Sequence, residues 1–268
     1  MLDLAKIRAR LCHEIRAAEL HHAPFPHFWL DNVFTSAEME QIVQVIRDET
    51  HFQDVGSGMK VLEIWKEAEN LKQVSAQRAH FLRALNCDLF TQSIAELIFQ
   101  RFRPSLMKNF ETVFGADAKG KLDAIALSDW DLAGAINIRA QGNQLPPHID
   151  WPNRLVSVVL YLDPDGGADE SWGTRLFDVD RANIVDPWSN FAKVPGITEP
   201  DINIDSYSLI PFKHGRIAIF LNSLWSYHGA FITPTNNAAR RWCMVKGINM
   251  TLEKTEEIFA LPKELRLF

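Results

Sequence analysis

The segment PPHIDWP sets His148 and Asp150 two residues apart, and a second histidine, His228, follows far downstream in SLWSYHGAF. In an extended backbone, residues i and i+2 project to the same face, so His148 and Asp150 can reach one point in space. Two imidazoles and one carboxylate on one face of a metal leave three coordination positions open. That is the donor set of a mononuclear non-haem Fe(II) site, in which two positions take a bidentate oxo-acid and one takes oxygen. A structural zinc site closes its shell with four protein ligands instead. Past His228 comes an arginine pair, Arg240 and Arg241. A guanidinium fork suits a carboxylate, which it grips through two parallel hydrogen bonds. If RWCMVKGI is a strand, Trp242, Met244 and Lys246 share one face, and Arg241, Cys243 and Val245 share the other. Lysine prefers the rim or exterior, which makes Arg241 the inward candidate and Arg240 the alternative.

These residues need a scaffold. Leu4, Ile7, Leu11 and Ile15 give residues 2–20 the stripe of an amphipathic helix. A short opening strand is expected near 25–34, suggested by Phe28, Leu30 and Val33. Ser36 can cap a helix carrying Met39, Ile42, Val43 and Ile46. Residues 60–115 read as further helices, with Pro104 expected to interrupt or start one. Near residue 123 the character changes. The runs AIALSDWDL, GAINIRAQ, LVSVVLYLD, GTRLFDVD, GRIAIFLNS and RWCMVKGINM are short, β-rich and separated by turns. Such a series argues for an antiparallel sandwich or barrel. The connection 180–210 is long and rich in Pro, Asn, Asp and Ser, the mark of a functional loop or lid. The expected architecture is one α+β domain over 1–268. Mainly helical support fills 1–120, a β core fills 123–252, and 253–268 forms a C-terminal tail.

Composition narrows the class. The chain has 268 residues and is 47% hydrophobic, enough for a substantial core. Its net charge of -6 leaves no basic surplus for a phosphate backbone, so nucleic acid is not an expected partner. Cys12, Cys87 and Cys243 are odd in number and far apart, which fits a reducing compartment better than a disulfide framework. The N-terminus has no apolar h-region, and no stretch approaches the roughly 18 apolar residues of a membrane span. A soluble cytoplasmic protein with no membrane partner is expected.

Three segments carry a resemblance to a known family. They are PFPHFWLDNVFTSAEMEQI, then IRAQGNQLPPHIDWPNRLVSVVLYLDPD through WGTRLFD, and GRIAIFLNSLWSYHGAFITPTNNAARRW. An HxD motif alone is weak. An HxD followed by a strand ending YL, then HG, then Arg about a dozen residues on, is specific. Together they resemble the prolyl-4-hydroxylase-like branch of the 2-oxoglutarate/Fe(II)-dependent dioxygenases. The resemblance implies a double-stranded β-helix of jelly-roll or cupin-like form, buttressed by the N-terminal helices. It implies Fe(II) on His148, Asp150 and His228, with 2-oxoglutarate and O2 as cosubstrates. It implies that Arg241 grips the far carboxylate of 2-oxoglutarate. Tyr161 matches a position where some members place a tyrosine on that carboxylate. Arg139 stands where relatives often carry a tyrosine near the cosubstrate, and as an arginine it could hold the cosubstrate or an acidic substrate; Cys243 stands where they often carry a serine. The activity implied is hydroxylation of an unactivated C–H bond, with release of succinate and CO2. Halogenating relatives replace the carboxylate ligand with a small residue, so Asp150 points to hydroxylation.

The substrate side is open to three readings. The first is a small molecule, such as an amino acid or a natural-product or sugar intermediate, which suits a compact chain with a long closing loop. The second is a peptidyl or protein hydroxylase of prolyl type. The third is a metal- or ligand-binding cupin-like module without turnover, against which Arg241 argues. Arg154 is either a contact for an anionic substrate or a solvated loop residue. Trp151, Trp172, Trp188 and Trp225 either line the substrate mouth or pack. His21, His22 and His27 read as surface histidines, and neither Ser157 nor Cys243 has the base pattern of nucleophilic catalysis.

Overall fold

The computed structural model describes residues 2–47, 51–56, 58–64, 69–132, 134–150, 153–179, 202–235 and 238–259. Six helices lie among them: α1 (Leu4–Ala17), α2 (Ser36–Arg47), α3 (Ala76–Arg83), α4 (Gln92–Phe114), α5 (Ala118–Asp123) and α6 (Leu252–Phe259). Twelve strands lie among them: β1 (His27–Leu30), β2 (Gln53–Gly56), β3 (Met59–Glu63), β4 (Trp130–Asp131), β5 (Gly134–Arg139), β6 (Gln144–His148), β7 (Arg154–Leu162), β8 (Thr174–Phe177), β9 (Tyr207–Ile210), β10 (Ile217–Leu221), β11 (His228–Phe231) and β12 (Arg241–Met250).

The strands form two antiparallel sheets. The major sheet has eight strands, in the order β1-β10-β7-β12-β5-β3-β2 with β4 attached to β12. The minor sheet has four, in the order β6-β11-β8-β9. From β5 to β12 the chain winds back and forth between them: β5, β7, β10 and β12 lie in the major sheet, and β6, β8, β9 and β11 in the minor one. That winding is a double-stranded β-helix.

Strand periodicity sorts the side chains between two cores. On β7, Val156, Val158, Leu160 and Leu162 pack with Ile7, Leu11, Ile42, Ile98 and Phe102 of the helices. The alternate residues Val159 and Tyr161 pack between the sheets, with Leu176 and Ala230 from the minor sheet. The same division runs along β12, with Trp242, Met244, Ile248 and Met250 toward the helices and Cys243 toward the minor sheet. One face of the major sheet is thus closed by helices, and the other faces the second sheet.

Several expectations change. Residues 60–115 are not helical throughout, because β3 pairs with β5 and extends the major sheet toward β2. Pro104 neither starts nor stops a helix but sits inside α4. It forfeits one backbone hydrogen bond there, while Ile94, Ile98, Phe102, Leu106 and Phe110 anchor the helix on either side of it. The run AIALSDWDL holds only the two-residue strand β4. The expected tail begins as α6, which buries Ile258 and Phe259. Residues 180–201 of the expected lid lie outside the described residues, and the remainder of 180–210 includes β9. Among the described residues, no helix is long and apolar enough to cross a membrane.

Lys246 is also not where its charge suggests. It is 2% exposed and lies on the helix side of β12. Its ammonium donates to the carbonyl oxygens of Asn86 (2.9 Å) and Leu132 (2.5 Å), tying the end of the α3 region to the sheet. Burial pushes its pKa down to about 8. Between that value and the unfolded value near 10.5, the unfolded chain holds more protons. The stability contribution of Lys246 therefore rises with pH through this window, and its full burial cost applies below it. Relative to Lys246→Met, the wild type is expected to gain roughly 2 kcal/mol of unfolding free energy between pH 8 and pH 10. Denaturant unfolding at the two pH values measures this, and a difference that stays flat contradicts the assignment.

Candidate metal centre

β6 is an edge strand of the minor sheet, where missing backbone donors are tolerated, and it carries the consecutive prolines Pro146 and Pro147. It ends on His148. Its neighbour β11 begins on His228, and the two histidines are direct register partners. Their rings lie 4.4 Å apart between centroids. A register shift follows at once, between His228 and Ala230. Gly229 sits at that irregularity, and a Cβ there would lie 2.5 Å from the Leu145 carbonyl oxygen. The HG pair is explained by this close approach: the strand can press against β6 only where there is no side chain.

Asp150 lies just past the end of β6, and the alternation continues through it. Ile149 turns into an apolar cluster with Phe177 and Leu224, while His148 and Asp150 turn the other way. Asn222 tethers this turn. Its Oδ1 accepts from the Asp150 backbone N–H (3.2 Å), and its Nδ2 donates to the Arg154 carbonyl (2.9 Å). One ligand atom from each of His148, Asp150 and His228 falls within 4.8 Å of the others.

The donor atoms suit a divalent metal. His148 Nδ1 is 2.8 Å from the Pro146 carbonyl oxygen, and His228 Nδ1 is 3.0 Å from that of Ser226. A carbonyl only accepts, so each ring donates from Nδ1, which leaves Nε2 as the atom available to a metal. Burial, then His148, pushes the His228 pKa down to about 4, so that ring is neutral at physiological pH. Burial opposes ionisation of Asp150, but Arg154, the two imidazoles and the Ser157 hydroxyl outweigh it and hold the carboxyl well below the usual range. Arg154 Nη1 lies 3.2 Å from Asp150 Oδ1. Ser157 donates to Oδ2, which is also the oxygen 3.6 Å from His228 Nε2. Arg154 is held in turn by Asn249 Oδ1, which accepts from its Nε at 3.2 Å. Gly247 leaves room for that contact, since a Cβ there would lie 2.8 Å from Arg154 Nε. Arg154 is thus neither a solvated loop residue nor a free contact for an anion.

A cavity of about 370 Å3 lies between the sheets, and the triad lines it together with Arg139, Arg154 and Arg241. Arg241 and Arg139 are register partners on β12 and β5, and both are buried. Arg241 Nε donates to the Trp172 carbonyl (2.6 Å), and Arg139 Nη1 donates to Asn143 Oδ1 (2.9 Å). Neither has a carboxylate partner among the described residues. Burial, then the neighbouring Arg241 charge, pushes the Arg139 pKa down to about 10. Arg240 points away from the cavity. It makes a two-pronged ion pair with Asp165, both contacts 3.1 Å, and stacks on Trp242.

Tyr161 lies behind this wall and is not among the residues lining the cavity. Its hydroxyl donates to Thr174 Oγ1 (2.7 Å) and accepts from the Thr174 backbone N–H (3.0 Å). The Arg241 guanidinium carbon sits 5.7 Å from the Tyr161 ring centre, so the ring supports the arginine from beneath. Trp172 is fully buried and Trp225 packs with Ile149, so both are packing residues. Trp151 and Trp188 lie outside the described residues. His21 stacks on Trp29, and no metal-ligating cluster other than the triad occurs among the described residues. Sequence reasoning passed over Ser157, Asn222 and Asn249 as site residues. The available signal was their polarity within or just after apolar strands, above all Ser157 in RLVSVVLYL.

If the Gly229 approach sets the spacing of the two imidazoles, Gly229→Ala should push β11 off β6. Uptake of Co(II), followed by its visible absorption, is expected to weaken at least tenfold, with a thermal midpoint lowered by several degrees. Unaltered Co(II) uptake contradicts this.

No protein-family model matches the chain, and no curated protein matches it in sequence. Among solved structures, a Pseudomonas putida prolyl-4-hydroxylase is similar at 13% identity and a TM-score of 0.47, over 91% of this chain and 98% of that one. HygX from Streptomyces hygroscopicus, solved with nickel and 2-oxoglutarate bound, is similar at 13% identity and a TM-score of 0.47, over 84% and 83%. The non-haem α-ketoglutarate-dependent epimerase SnoN from nogalamycin biosynthesis is similar at 14% identity and a TM-score of 0.46, over 91% and 81%.

Proposed function

We propose that this chain is a 2-oxoglutarate- and Fe(II)-dependent oxygenase that hydroxylates an unactivated C–H bond of a small molecule. One observation carries the reading. A two-histidine, one-carboxylate triad and two buried guanidinium groups without a protein counter-ion line the same cavity. A buried charge without a partner is costly, and two adjacent like charges cost more. An anion that binds with one end at the metal and the other at the arginines relieves that cost. A dicarboxylate oxo-acid is such an anion.

His148 and His228, through Nε2, and Asp150 would hold the metal and leave positions open. Arg154 and Ser157 orient the Asp150 carboxylate, and Arg154 occupies its Oδ1. Arg241 would grip the far carboxylate of the cosubstrate, with Arg139 beside it. Tyr161 and Trp172 fix the aim of Arg241. Fe(II) and 2-oxoglutarate, when bound, would supply the activation of O2, with succinate and CO2 as the cosubstrate's products. The protein's part is to orient these groups in a shaped cavity shielded by the two sheets. A volume of about 370 Å3 suits a small molecule, as ligand sites of this kind run from roughly 300 to 1,000 Å3.

Anaerobic titration with Fe(II) and 2-oxoglutarate, followed by the weak visible charge-transfer band of the chelate, tests the reading. The wild type should develop the band and His148→Ala should not. Arg241→Ala should raise the half-saturating 2-oxoglutarate concentration at least tenfold while keeping Co(II) uptake, and Arg240→Ala should leave it near the wild-type value. A band undiminished in His148→Ala contradicts the metal site, and a stronger effect from Arg240→Ala contradicts the choice of arginine.

A further inference from the structure

The inference concerns the substrate, and it rests on the iron and 2-oxoglutarate reading above. It follows from matching each charge that lines the cavity to a partner. Asp150 is matched by Arg154, at 3.2 Å. The metal would be held by the triad and the near carboxylate of the cosubstrate. Arg139 and Arg241 would share the far carboxylate, two guanidinium groups to one anion. Among the described residues, one charged group lining the cavity then remains unmatched: Glu63. Its side chain makes no hydrogen bond or ion pair.

Glu63 is turned toward this space by its strand. Leu62 is fully buried against the helices, so its neighbour Glu63 lies on the opposite face of β3. Glu63 pairs with Ala135, Ala135 with Val245, and Val245 with Val159, giving one straight row across β3, β5, β12 and β7. Ala135, Val245 and Val159 line the cavity along with Glu63. Neighbouring strands lie about 4.8 Å apart, so the row runs roughly 14 Å from β7 to β3. Its β7 end adjoins Ser157, which touches Asp150. The floor of the cavity is therefore a track of small and apolar side chains. It begins beside the metal ligands and ends at a carboxylate with no partner.

We infer that the substrate is a small molecule bearing a protonated amine or guanidinium, and that Glu63 binds this group. The basic group sits on the order of 10 Å from the carbon that reacts, with an uncharged chain lying over Ala135 and Val245. An anionic substrate would have to compete for arginines that are already engaged, Arg154 by Asp150 and the Arg139–Arg241 pair by the far carboxylate they share, whereas a cationic group meets Glu63 directly.

The test uses the same visible band, under argon, on the full chain loaded with Fe(II) and 2-oxoglutarate. L-Lysine, L-ornithine, cadaverine and spermidine are each titrated beside their N-acetylated forms, in the wild type, Glu63→Gln and Glu63→Lys. The expected result is that at least one free amine perturbs the band while its acetylated form does not. Its half-saturating concentration should rise at least tenfold in Glu63→Gln and further in Glu63→Lys. Glu63 is exposed, so neither change disturbs packing. The inference is overturned if no amine perturbs the band, if the acetylated forms act as well as the amines, or if Glu63→Gln binds as the wild type does. A wild type that never develops the band removes the iron and 2-oxoglutarate reading, and this inference with it.

Discussion

His148 and His228 are direct cross-strand partners on β6 and β11, and the candidate metal centre depends on that register. Side chains alternate along a strand, so a slip of one residue would send one imidazole to the far side of the minor sheet. Several local features hold the register. The Pro146–Pro147 pair stiffens β6 at an edge where lost donors cost little. Gly229 lets β11 close on the Leu145 carbonyl. Asn222, just past the end of β10, clasps the backbone of Asp150 and Arg154 and so brings the carboxylate to the imidazoles. The helices act at one remove, by packing the major sheet flat against which the minor sheet closes.

Electrostatics give this geometry its direction. At one end of the cavity the charges are balanced within the protein, since Asp150 meets Arg154 and Ser157. At the other, Arg139 and Arg241 are buried side by side, held by neutral oxygens from Asn143 and Trp172. The fold tolerates this unfavourable pair, and its aromatic support under Arg241 stiffens rather than neutralises it. Stability alone does not account for such an arrangement, and the dianion proposed above would relieve it. The two ends are linked through β7 and β12, which carry Ser157 and Arg241 on the same inner face.

Much of the site was legible in the sequence. His148, Asp150 and His228 come together as their spacing suggested, and strand parity turns Arg241 inward and Arg240 outward. One premise of that parity reading was mistaken, because Lys246 is buried rather than at the rim. Carbonyl groups of Asn86 and Leu132 replace the water that a lysine needs, and no periodicity announces carbonyls so distant in the chain. Tyr161 illustrates the limit of strand parity: it lies on the correct face, yet Thr174 engages its hydroxyl. The supporting groups around Asp150 were harder to read. Ser157, Asn222 and Asn249 acquire their roles only when β7, β10 and β12 are adjacent, and that adjacency is set by long-range pairing. The β2–β3 hairpin escaped for a local reason. Its strands are short and mostly exposed, and they lack the clean alternation of β7. Pro104 shows the opposite failure, where packing on both sides of a helix overrides a local breaker.

The most direct measurement is a crystal structure of the chain grown with Mn(II) and 2-oxoglutarate under argon. The predicted result is a metal bonded to Nε2 of His148, Nε2 of His228 and a carboxylate oxygen of Asp150. The oxo-acid should chelate the same metal, with its far carboxylate against Arg241 and Arg139 alongside. A metal closed by four protein ligands, or an oxo-acid whose far carboxylate meets neither arginine, would contradict the assignment of this site.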